Sequence, residues 1–273
     1  QSVPDPWVSL SLSRRCVAVT PGEAMSLDKP AHRRPRVAAA VLAGGVGSRM
    51  GSAHPKQLLR LAGQTILERS VAALCAAPEV DEVVVVMNAA HLAEAEKILA
   101  EGRYDKVSRI VPGGASRSES SLAALQAVDD YDDNDLLLLH DAARPLVSGR
   151  TITACVTELT EVGAVGVAVP SSDTVVQVTL DASGREVIAA VPDRAALRRM
   201  QTPQGFRLGV IRRAYARAFA DPGFTATDDC GVVLRYLPEE PVRIVTGEES
   251  NIKVTHPSDL AVAEALLRTG VAQ

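Results

Sequence analysis

A glycine-rich stretch directly after an apolar run constrains this chain more than any other feature. Residues 36–42 read Arg-Val-Ala-Ala-Ala-Val-Leu, a run typical of a strand buried on both faces of a parallel sheet. Gly44, Gly45 and Gly47 follow at once. Because glycine has no Cβ, the backbone there can turn sharply and bring its N–H groups close to an anion. The sequence therefore predicts a phosphate-binding loop at the end of a first strand.

Two basic residues in the same stretch support this prediction. Arg49 and Lys56 carry positive charge on long side chains that can reach the outer phosphates of a nucleotide. A Walker-type loop is excluded, since it needs a lysine followed by serine or threonine, and a dinucleotide-binding loop needs a different glycine spacing from that of residues 45–51. A glycine turn without a ligand would leave Arg49 and Lys56 unexplained.

Strand-like and helix-like segments alternate along the rest of the chain. Short apolar runs at 80–87, 107–111, 136–139 and 162–170 predict buried strands. Apolar residues at helical spacing precede and follow the first of these runs, which predicts a helix on each side of it. This alternation predicts an α/β fold with a doubly wound, mostly parallel sheet. Residues 1–35 show no sustained periodicity, so we predict a disordered N-terminal tail there, with Met25 a candidate first residue.

One segment departs from the alternation. Residues 174–180 and 185–191 are strand-like and are joined by Asp-Ala-Ser-Gly, which predicts a β-hairpin that projects from the sheet. Residues 252–254 are predicted to form a short strand that carries Lys253.

Two further segments are expected at the carboxyl edge of the sheet, where ligands of such folds bind. Residues 113–121 form a second loop of small residues, which would equally suit a helix N-terminus capped by Ser116 or Ser118. Asp141 directly follows a buried strand, a position suited to a magnesium ion that also holds phosphate oxygens, and Arg144 offers a fork for a phosphate. The alternative is that Asp141 caps a helix and Arg144 is its surface partner.

Four motifs in this order suggest a family. They are the stretch from Leu42 to Gln57, His-Asp-Ala-Ala-Arg-Pro at 140–145, Gln-Thr-Pro-Gln-Gly-Phe at 201–206 and Asn-Ile-Lys-Val-Thr at 251–255. Together they span roughly residues 36–268, and the chain resembles the sugar-phosphate nucleotidyltransferases, in particular the 2-C-methyl-D-erythritol 4-phosphate cytidylyltransferases. The resemblance implies a single Rossmann-like nucleotidyltransferase domain over residues 36–270. It also implies that the hairpin arm, about residues 174–194, crosses to a second subunit of a homodimer.

The resemblance also implies a reaction and a role for each site residue. CMP would be transferred from CTP to a polyol phosphate with Mg²⁺ as cofactor. The catalytic residues would be Arg49, Lys56 and Lys253. The nucleotide would be bound by Ala43, Gly44, Gly45, Gly47, Gly114, Ser120 and Asp141, with Asp141 also holding the metal. The polyol phosphate would be bound by Arg144, Thr174, Arg194, Thr202 and Thr227, with Arg194 coming from the partner subunit.

The sequence leaves two alternatives to this function. The chain departs from the family pattern at Ala115, where an acidic residue is common, and at Val176, where lysine is frequent. Ribitol 5-phosphate cytidylyltransferases have nearly the same motifs, so ribitol phosphate is an alternative acceptor. A non-catalytic nucleotide-binding protein is the alternative of another class, although such a protein would not need Arg49, Lys56, Asp141 and Lys253 together.

Composition excludes other classes of partner. The net charge of −4 argues against binding to nucleic acid or to a membrane surface, which would require a basic face. No apolar stretch approaches the length of about 20 residues that a membrane-spanning helix needs. We therefore expect a cytoplasmic protein.

Overall fold

The computed structural model describes residues 33–45, 55–102 and 104–270. The predictions for Gly47, for Arg49 and for nearly all of the N-terminal tail lie outside these residues. A compact unit begins at Arg36.

The described residues contain eleven strands, seven α-helices and three short 3-10 helices. The strands are β1 (Val37–Ala43), β2 (Arg60–Leu61), β3 (Gln64–Thr65), β4 (Glu82–Met87), β5 (Val107–Pro112), β6 (Leu136–Asp141), β7 (Ala164–Pro170), β8 (Gln177–Leu180), β9 (Glu186–Ala190), β10 (Arg198–Arg207) and β11 (Val242–Thr246). The helices are α1 (Ile66–Ala76), α2 (Leu92–Gly102), α3 (Arg117–Ala127), α4 (Gly149–Glu158), α5 (Leu208–Phe219), α6 (Asp229–Tyr236) and α7 (Pro257–Arg268).

Seven of these strands form the central sheet in the order β11-β7-β10-β6-β1-β4-β5. Neighbouring strands are parallel except for β10, which is antiparallel to both β6 and β7. The predicted α/β fold with a mostly parallel, doubly wound sheet is confirmed. Because β4 and β5 extend the sheet on one side of β1 and β6 extends it on the other, a ligand crevice is expected at the carboxyl ends of β1 and β6.

The sheet is buried on both faces because alternate residues of its strands pack against different helices. In β1, Ala39 and Val41 belong to the core shared with α1, α2 and α4. Ala38 and Ala40 belong to the core shared with α3, α5 and α6. All four side chains are 0% exposed. This explains why the central strands read as continuous apolar runs rather than as alternating patterns.

Strand β10 was not predicted, although it contains the motif at residues 201–206. Its residues Gln201, Thr202 and Gln204 are buried but polar, so the apolar pattern that marks the other central strands is missing. Their side chains are satisfied by hydrogen bonds to distant parts of the chain. The strand predicted at residues 252–254 is wrong, because that segment pairs with no strand and is held instead by the N–H of Val254, which donates to Ala143 O at 2.8 Å.

The predicted β-hairpin is present as the separate two-stranded sheet β8–β9. It is shorter than predicted, and its turn is closed by Asp181, whose carboxylate accepts from the N–H groups of Ser183 and Arg185 at 2.8 and 3.0 Å. Gly184 has a φ of +79°, a conformation that favours glycine. Every residue of β8 and β9 is exposed.

Asp135 joins the beginnings of β1 and β6. Its buried carboxylate accepts from the N–H groups of Arg36 and Asp132 at 2.7 and 2.9 Å and from Arg36 Nε at 3.2 Å. Burial alone would raise the pKa of Asp135, but these hydrogen bonds and the charge of Arg36 outweigh burial and lower the pKa. The ionised form therefore stabilises the fold above the unfolded-state pKa, and this contribution is lost as the pH falls through the folded-state pKa.

We predict that Asp135→Asn lowers the free energy of unfolding by about 2 kcal/mol at pH 7, because charged hydrogen-bond acceptors contribute roughly that much. The difference from the wild type should shrink as the pH falls below about 4, where the carboxyl group of the unfolded chain becomes protonated. Urea unfolding at both pH values measures this, with the exposed Asp129→Asn as control. A difference that does not depend on pH would contradict the assignment.

Candidate active site

A cavity of about 340 Å³ opens at the carboxyl ends of β1 and β6, where the strand order predicts it. Its walls come from the chain that follows β1, from the N-terminus of α3, from the end of β6 and from the segment after β11. The predicted site residues that line it are Gly44, Gly45, Lys56, Gly114, Ser120, Asp141, Thr227 and Lys253. Residues far apart in the sequence are thus brought to one place, as the motifs indicated.

Gly44 allows the first and second loops of the cavity to lie against each other, because a Cβ there would lie 2.8 Å from Ser120 Oγ. Gly114 instead makes room within the second loop, where a Cβ would overlap the side chain of Glu119. Neither Gly44 nor Gly45 has a positive φ. Close approach, rather than a left-handed conformation, is therefore the reason why glycine is required at position 44.

The second loop ends in a capped helix. Ser116 Oγ accepts from the N–H of Glu119 at 3.1 Å, and the carboxylate of Glu119 accepts from the N–H of Ala115 at 2.6 Å and of Ser116 at 3.4 Å. Of the two predicted caps, Ser116 is confirmed. Ser120 Oγ donates to Ser116 O at 3.0 Å, and Ser120 also lines the cavity, so the helix cap and a ligand contact are compatible.

Lys56 lies in the cavity wall and is only 9% exposed. Its Nζ donates to Val254 O at 2.9 Å, which ties the first loop to the segment that carries Lys253. Gln57 beside it donates from Nε2 to Gly45 O at 2.9 Å. No role for Gln57 could be assigned from the sequence, since its partner is a backbone atom.

A cluster of four charged groups lies at one side of the cavity, and three of them, Arg117, Asp141 and Lys253, line it. Asp141 makes ion pairs with Arg117 and, at 2.7 Å, with Lys253 Nζ. Arg117 also contacts Asp229 at 2.8 Å, and Asp229 accepts from Tyr215 OH at 2.7 Å. Burial alone would raise the pKa of Asp141, but the charges of Arg117 and Lys253 hold it well below the usual range. The Asp141 carboxylate is therefore ionised, and its charge is balanced by cations.

The alternative interpretation of Asp141 and Arg144 is wrong. The carboxylate of Asp141 faces Arg117 and Lys253 and caps none of the helices described above. The next helix, α4, is capped by Ser148. Arg144 donates to Asn251 O at 2.7 Å and to Met200 O at 3.1 Å. It joins the segment before Lys253 to β10.

Four residues predicted to bind the polyol phosphate are not among those that line the cavity. Arg144 is engaged as just described, and Thr202 is buried, with its Oγ1 accepting from the N–H of Asp141 at 3.0 Å. Thr174 and Arg194 are exposed near the hairpin, and Arg194 Nη1 donates to Ser172 O at 3.3 Å. Ala43 is buried at the end of β1, one residue before the lining Gly44.

The fit of a magnesium ion depends on Asp141. Within the described residues no group of three or more histidine, cysteine and carboxylate side chains could hold a metal ion, so these residues supply no complete ligand cage. Asp141 is ionised and lines the cavity, and a carboxylate has about four acceptor positions, of which Arg117 and Lys253 occupy two. This fits Mg²⁺ bound in its usual way, by one carboxylate together with water and substrate phosphates.

Comparison with known proteins identifies the family. The family model described as IspD, 2-C-methyl-D-erythritol 4-phosphate cytidylyltransferase, matches residues 37–269. The chain belongs to this family. Within the IspD family, the chain is 99% identical over 249 residues to the 2-C-methyl-D-erythritol 4-phosphate cytidylyltransferase of Thermobifida fusca, an alignment that covers 91% of this chain and 100% of that protein.

Two other relatives extend the comparison. The chain is 42% identical over 229 residues to the bifunctional ribulose 5-phosphate reductase/CDP-ribitol pyrophosphorylase Bcs1 of Haemophilus influenzae, covering 84% of this chain and 48% of that protein. Among solved structures, the 4-diphosphocytidyl-2C-methyl-D-erythritol synthase of Anaerococcus prevotii superposes with a TM-score of 0.73 at 29% identity, covering 86% of this chain and 99% of that one. The IspD fold is therefore the fold of this chain.

The contact between the two loops gives a testable prediction. Gly44→Ala should lower the free energy of unfolding by about 1–3 kcal/mol, the usual cost of overpacking, because the new Cβ meets Ser120 Oγ. In the Ser120→Ala background the same change should cost less than about 0.5 kcal/mol, since the clashing atom is gone. Urea unfolding without ligand measures both values. Gly45→Ala is the control, since its Cβ would meet no atom of the described residues closer than 3.7 Å. Equal costs in both backgrounds would show that the loops do not meet there.

Proposed function

We propose that this protein transfers CMP from CTP to 2-C-methyl-D-erythritol 4-phosphate, giving 4-diphosphocytidyl-2-C-methyl-D-erythritol and pyrophosphate. The observation that carries the proposal is that one cavity is lined by both glycine-containing loops, by Lys56 and Lys253, and by Asp141. Membership of the IspD family and the near-identity to the Thermobifida fusca protein point to the same reaction.

The cavity suits direct transfer at phosphorus. An oxygen of the acceptor phosphate attacks the α-phosphorus of CTP, and the bond to the pyrophosphate oxygen breaks, so no covalent intermediate on the protein is required. Catalysis of this kind consists mainly of positioning and charge neutralisation. Lys56 and Lys253 supply positive charge to the same cavity. The assignment of Arg49 to the outer phosphates stays a prediction.

Lys253 exchanges partners when the nucleotide binds. Its Nζ lies 2.7 Å from Asp141 Oδ2, and the side chain is 44% exposed, so it can turn from the carboxylate to the α-phosphate. Asp141 keeps its contact with Arg117 and remains ionised. Asp141 would then hold Mg²⁺ together with the phosphates. When bound, such an ion neutralises charge on the phosphate oxygens.

Ser120 favours cytosine over uracil. Its hydroxyl donates to Ser116 O at 3.0 Å, which leaves the oxygen of Ser120 as an acceptor at the cavity surface. Cytosine presents an amino group where uracil presents a carbonyl oxygen, and only the amino group can donate to such an acceptor. Backbone groups near Gly114 complete the proposed base site.

The alternatives have less support. The Haemophilus influenzae relative is named for CDP-ribitol formation, but the identity of 99% to a protein named for methylerythritol phosphate favours that acceptor. A non-catalytic binding protein would not need two lysines and a balanced carboxylate around one cavity.

The test is turnover with each of the four nucleoside triphosphates and either methylerythritol phosphate or ribitol 5-phosphate, followed by pyrophosphate release. We expect CTP and methylerythritol phosphate to be preferred and EDTA to abolish turnover. Lys253→Ala should lower turnover by about 10² or more, a typical effect of removing one charge-stabilising donor. Equal turnover with ribitol 5-phosphate, or an unchanged Lys253→Ala rate, would overturn the proposal in its present form.

The hairpin supports a homodimer. In β8 and β9 the side chains of Val178, Leu180 and Ile188 are 52%, 65% and 66% exposed, and Val178 lies opposite Ile188 on one face. A two-stranded sheet is marginally stable by itself, and an exposed apolar face of this kind marks a contact with another molecule. We propose that it packs on a second copy of the chain and carries Arg194 toward the cavity of that copy.

Complementation between two inactive variants tests this arrangement. Arg194→Ala chains mixed with Lys56→Ala chains would form dimers with one site lacking both groups and one intact site. After subunit exchange the mixture should regain up to about a quarter of wild-type activity, because half of randomly paired dimers are mixed. A mixture that stays inactive after exchange, verified by co-purification of differently tagged chains, would show that Arg194 acts within its own chain.

The location of the protein stays a prediction. No helix in the described ranges is long and apolar enough to cross a membrane. A cytoplasmic location and the lack of nucleic-acid or membrane partners rest on the composition of the sequence. They agree with the small, charged substrates that we propose.

A further inference from the structure

His140 is a buried histidine beside the cavity to which neither the sequence nor the proposed reaction gives a role. It is 0% exposed and directly precedes Asp141 at the end of β6. Both ring nitrogens have partners: Nδ1 lies 3.0 Å from Thr202 Oγ1, and Nε2 lies 3.1 Å from Arg144 O. Each partner belongs to a residue predicted to bind the acceptor.

The partners fix the direction of the hydrogen bonds. A carbonyl oxygen only accepts, so Nε2 of His140 must carry a proton in order to donate to Arg144 O. Thr202 Oγ1 already accepts from the N–H of Asp141 at 3.0 Å, so the proton of its hydroxyl is directed to its other partner, Nδ1 of His140, 3.0 Å away. Nδ1 is therefore the acceptor of this hydrogen bond, and the hydroxyl of Thr202 is the donor.

Thr202 connects the His140 ring to Asp141, which lines the cavity. Its Oγ1 accepts from the N–H of Asp141 at 3.0 Å, while its proton is committed to His140. The result is one directed chain from the Asp141 N–H through the Thr202 hydroxyl to the His140 ring and on to Arg144 O. Because the hydroxyl of Thr202 both donates and accepts within the protein, it can contribute little to binding of the polyol phosphate. This agrees with the burial of Thr202.

We propose that His140 is a positioning residue for the transfer reaction, which orients Asp141 toward the cavity through the hydroxyl of Thr202. Without nucleotide the carboxylate of Asp141 meets both Arg117 and Lys253, and a fixed backbone at Asp141 keeps the carboxylate directed toward the cavity when Lys253 turns to the nucleotide. The ring of His140 cannot rotate without breaking a bond at each end. The kinetic part of this proposal rests on the proposed function, whereas the hydrogen-bond chain does not.

The hydrogen-bond chain is tested by ¹⁵N NMR of histidine side chains in the full-length protein without ligand. The signals of His140 are identified by their absence in His140→Gln. We expect one tautomer at neutral pH, with Nε2 protonated and Nδ1 bare. A ring protonated at Nδ1 would overturn the proposal, because Thr202 could not then donate to it.

The coupling to Asp141 is tested by a double-mutant cycle on kcat/KM for CTP. His140→Phe, which keeps a ring of similar size, should lower kcat/KM by about tenfold or more, as loss of a supporting hydrogen-bond partner commonly does. In the Asp141→Asn background the same change should cost less than about threefold, since its effect passes through Asp141. A merely structural histidine would give equal effects in both backgrounds, which would overturn the proposal.

Controls distinguish the loss of positioning by His140 from a nonspecific loss of activity, from unfolding of the variant and from failure of the proposed function. His91→Gln changes a histidine whose Nδ1 lies 3.4 Å from Glu94, outside the cavity, and should leave kcat/KM unchanged. If circular dichroism shows that His140→Phe is unfolded, Thr202→Val takes its place in the same cycle, with recovery expected in Thr202→Ser. If the wild-type protein shows no turnover, the proposed function is wrong. The NMR result alone would then test the hydrogen-bond chain.

Discussion

A buried carboxylate must be paired with positive charge, and this requirement at Asp141 organises the cavity. An unpaired ion in the interior would cost several kcal/mol. Arg117 from the start of α3 and Lys253 from the segment after β11 supply the two cations. Because Arg117 also contacts Asp229 at the start of α6, one carboxylate connects the central sheet to three other parts of the fold.

Strand β10 makes a second set of polar connections. Gln204 donates to Asp228 and accepts from the N–H groups of Asp229 and Cys230, at distances of 2.9 to 3.0 Å. Thr202 meets the end of β6. These buried hydrogen bonds fix the start of α6 and the end of β6 relative to each other, and leaving any of them unmade would be expensive. The antiparallel strand β10 thus fixes elements that surround the cavity.

Most of the fold and much of the site could be predicted because both depend on local patterns. Apolar runs marked β1, β4 and β6, and the motifs marked residues that do meet in one cavity, among them Lys56, Asp141 and Lys253. Strand β10 was missed because its buried residues are polar, and burial of polar groups is visible only when their partners are known. Likewise, the link from Arg117 to Asp229 joins residues 112 positions apart, and no spacing rule predicts such a pair.

The charges held around Asp141 bear on how the proposed reaction would respond to acidity. The pKa of Asp141 and that of His140 are lowered, and that of Arg117 is raised, so these three groups keep one charge state across neutral pH. A phosphate monoester loses its second proton near pH 6. The acceptor phosphate, rather than these three side chains, then carries the ionisation that changes near neutral pH. The pH dependence of the proposed reaction would therefore report the pKa of the acceptor phosphate.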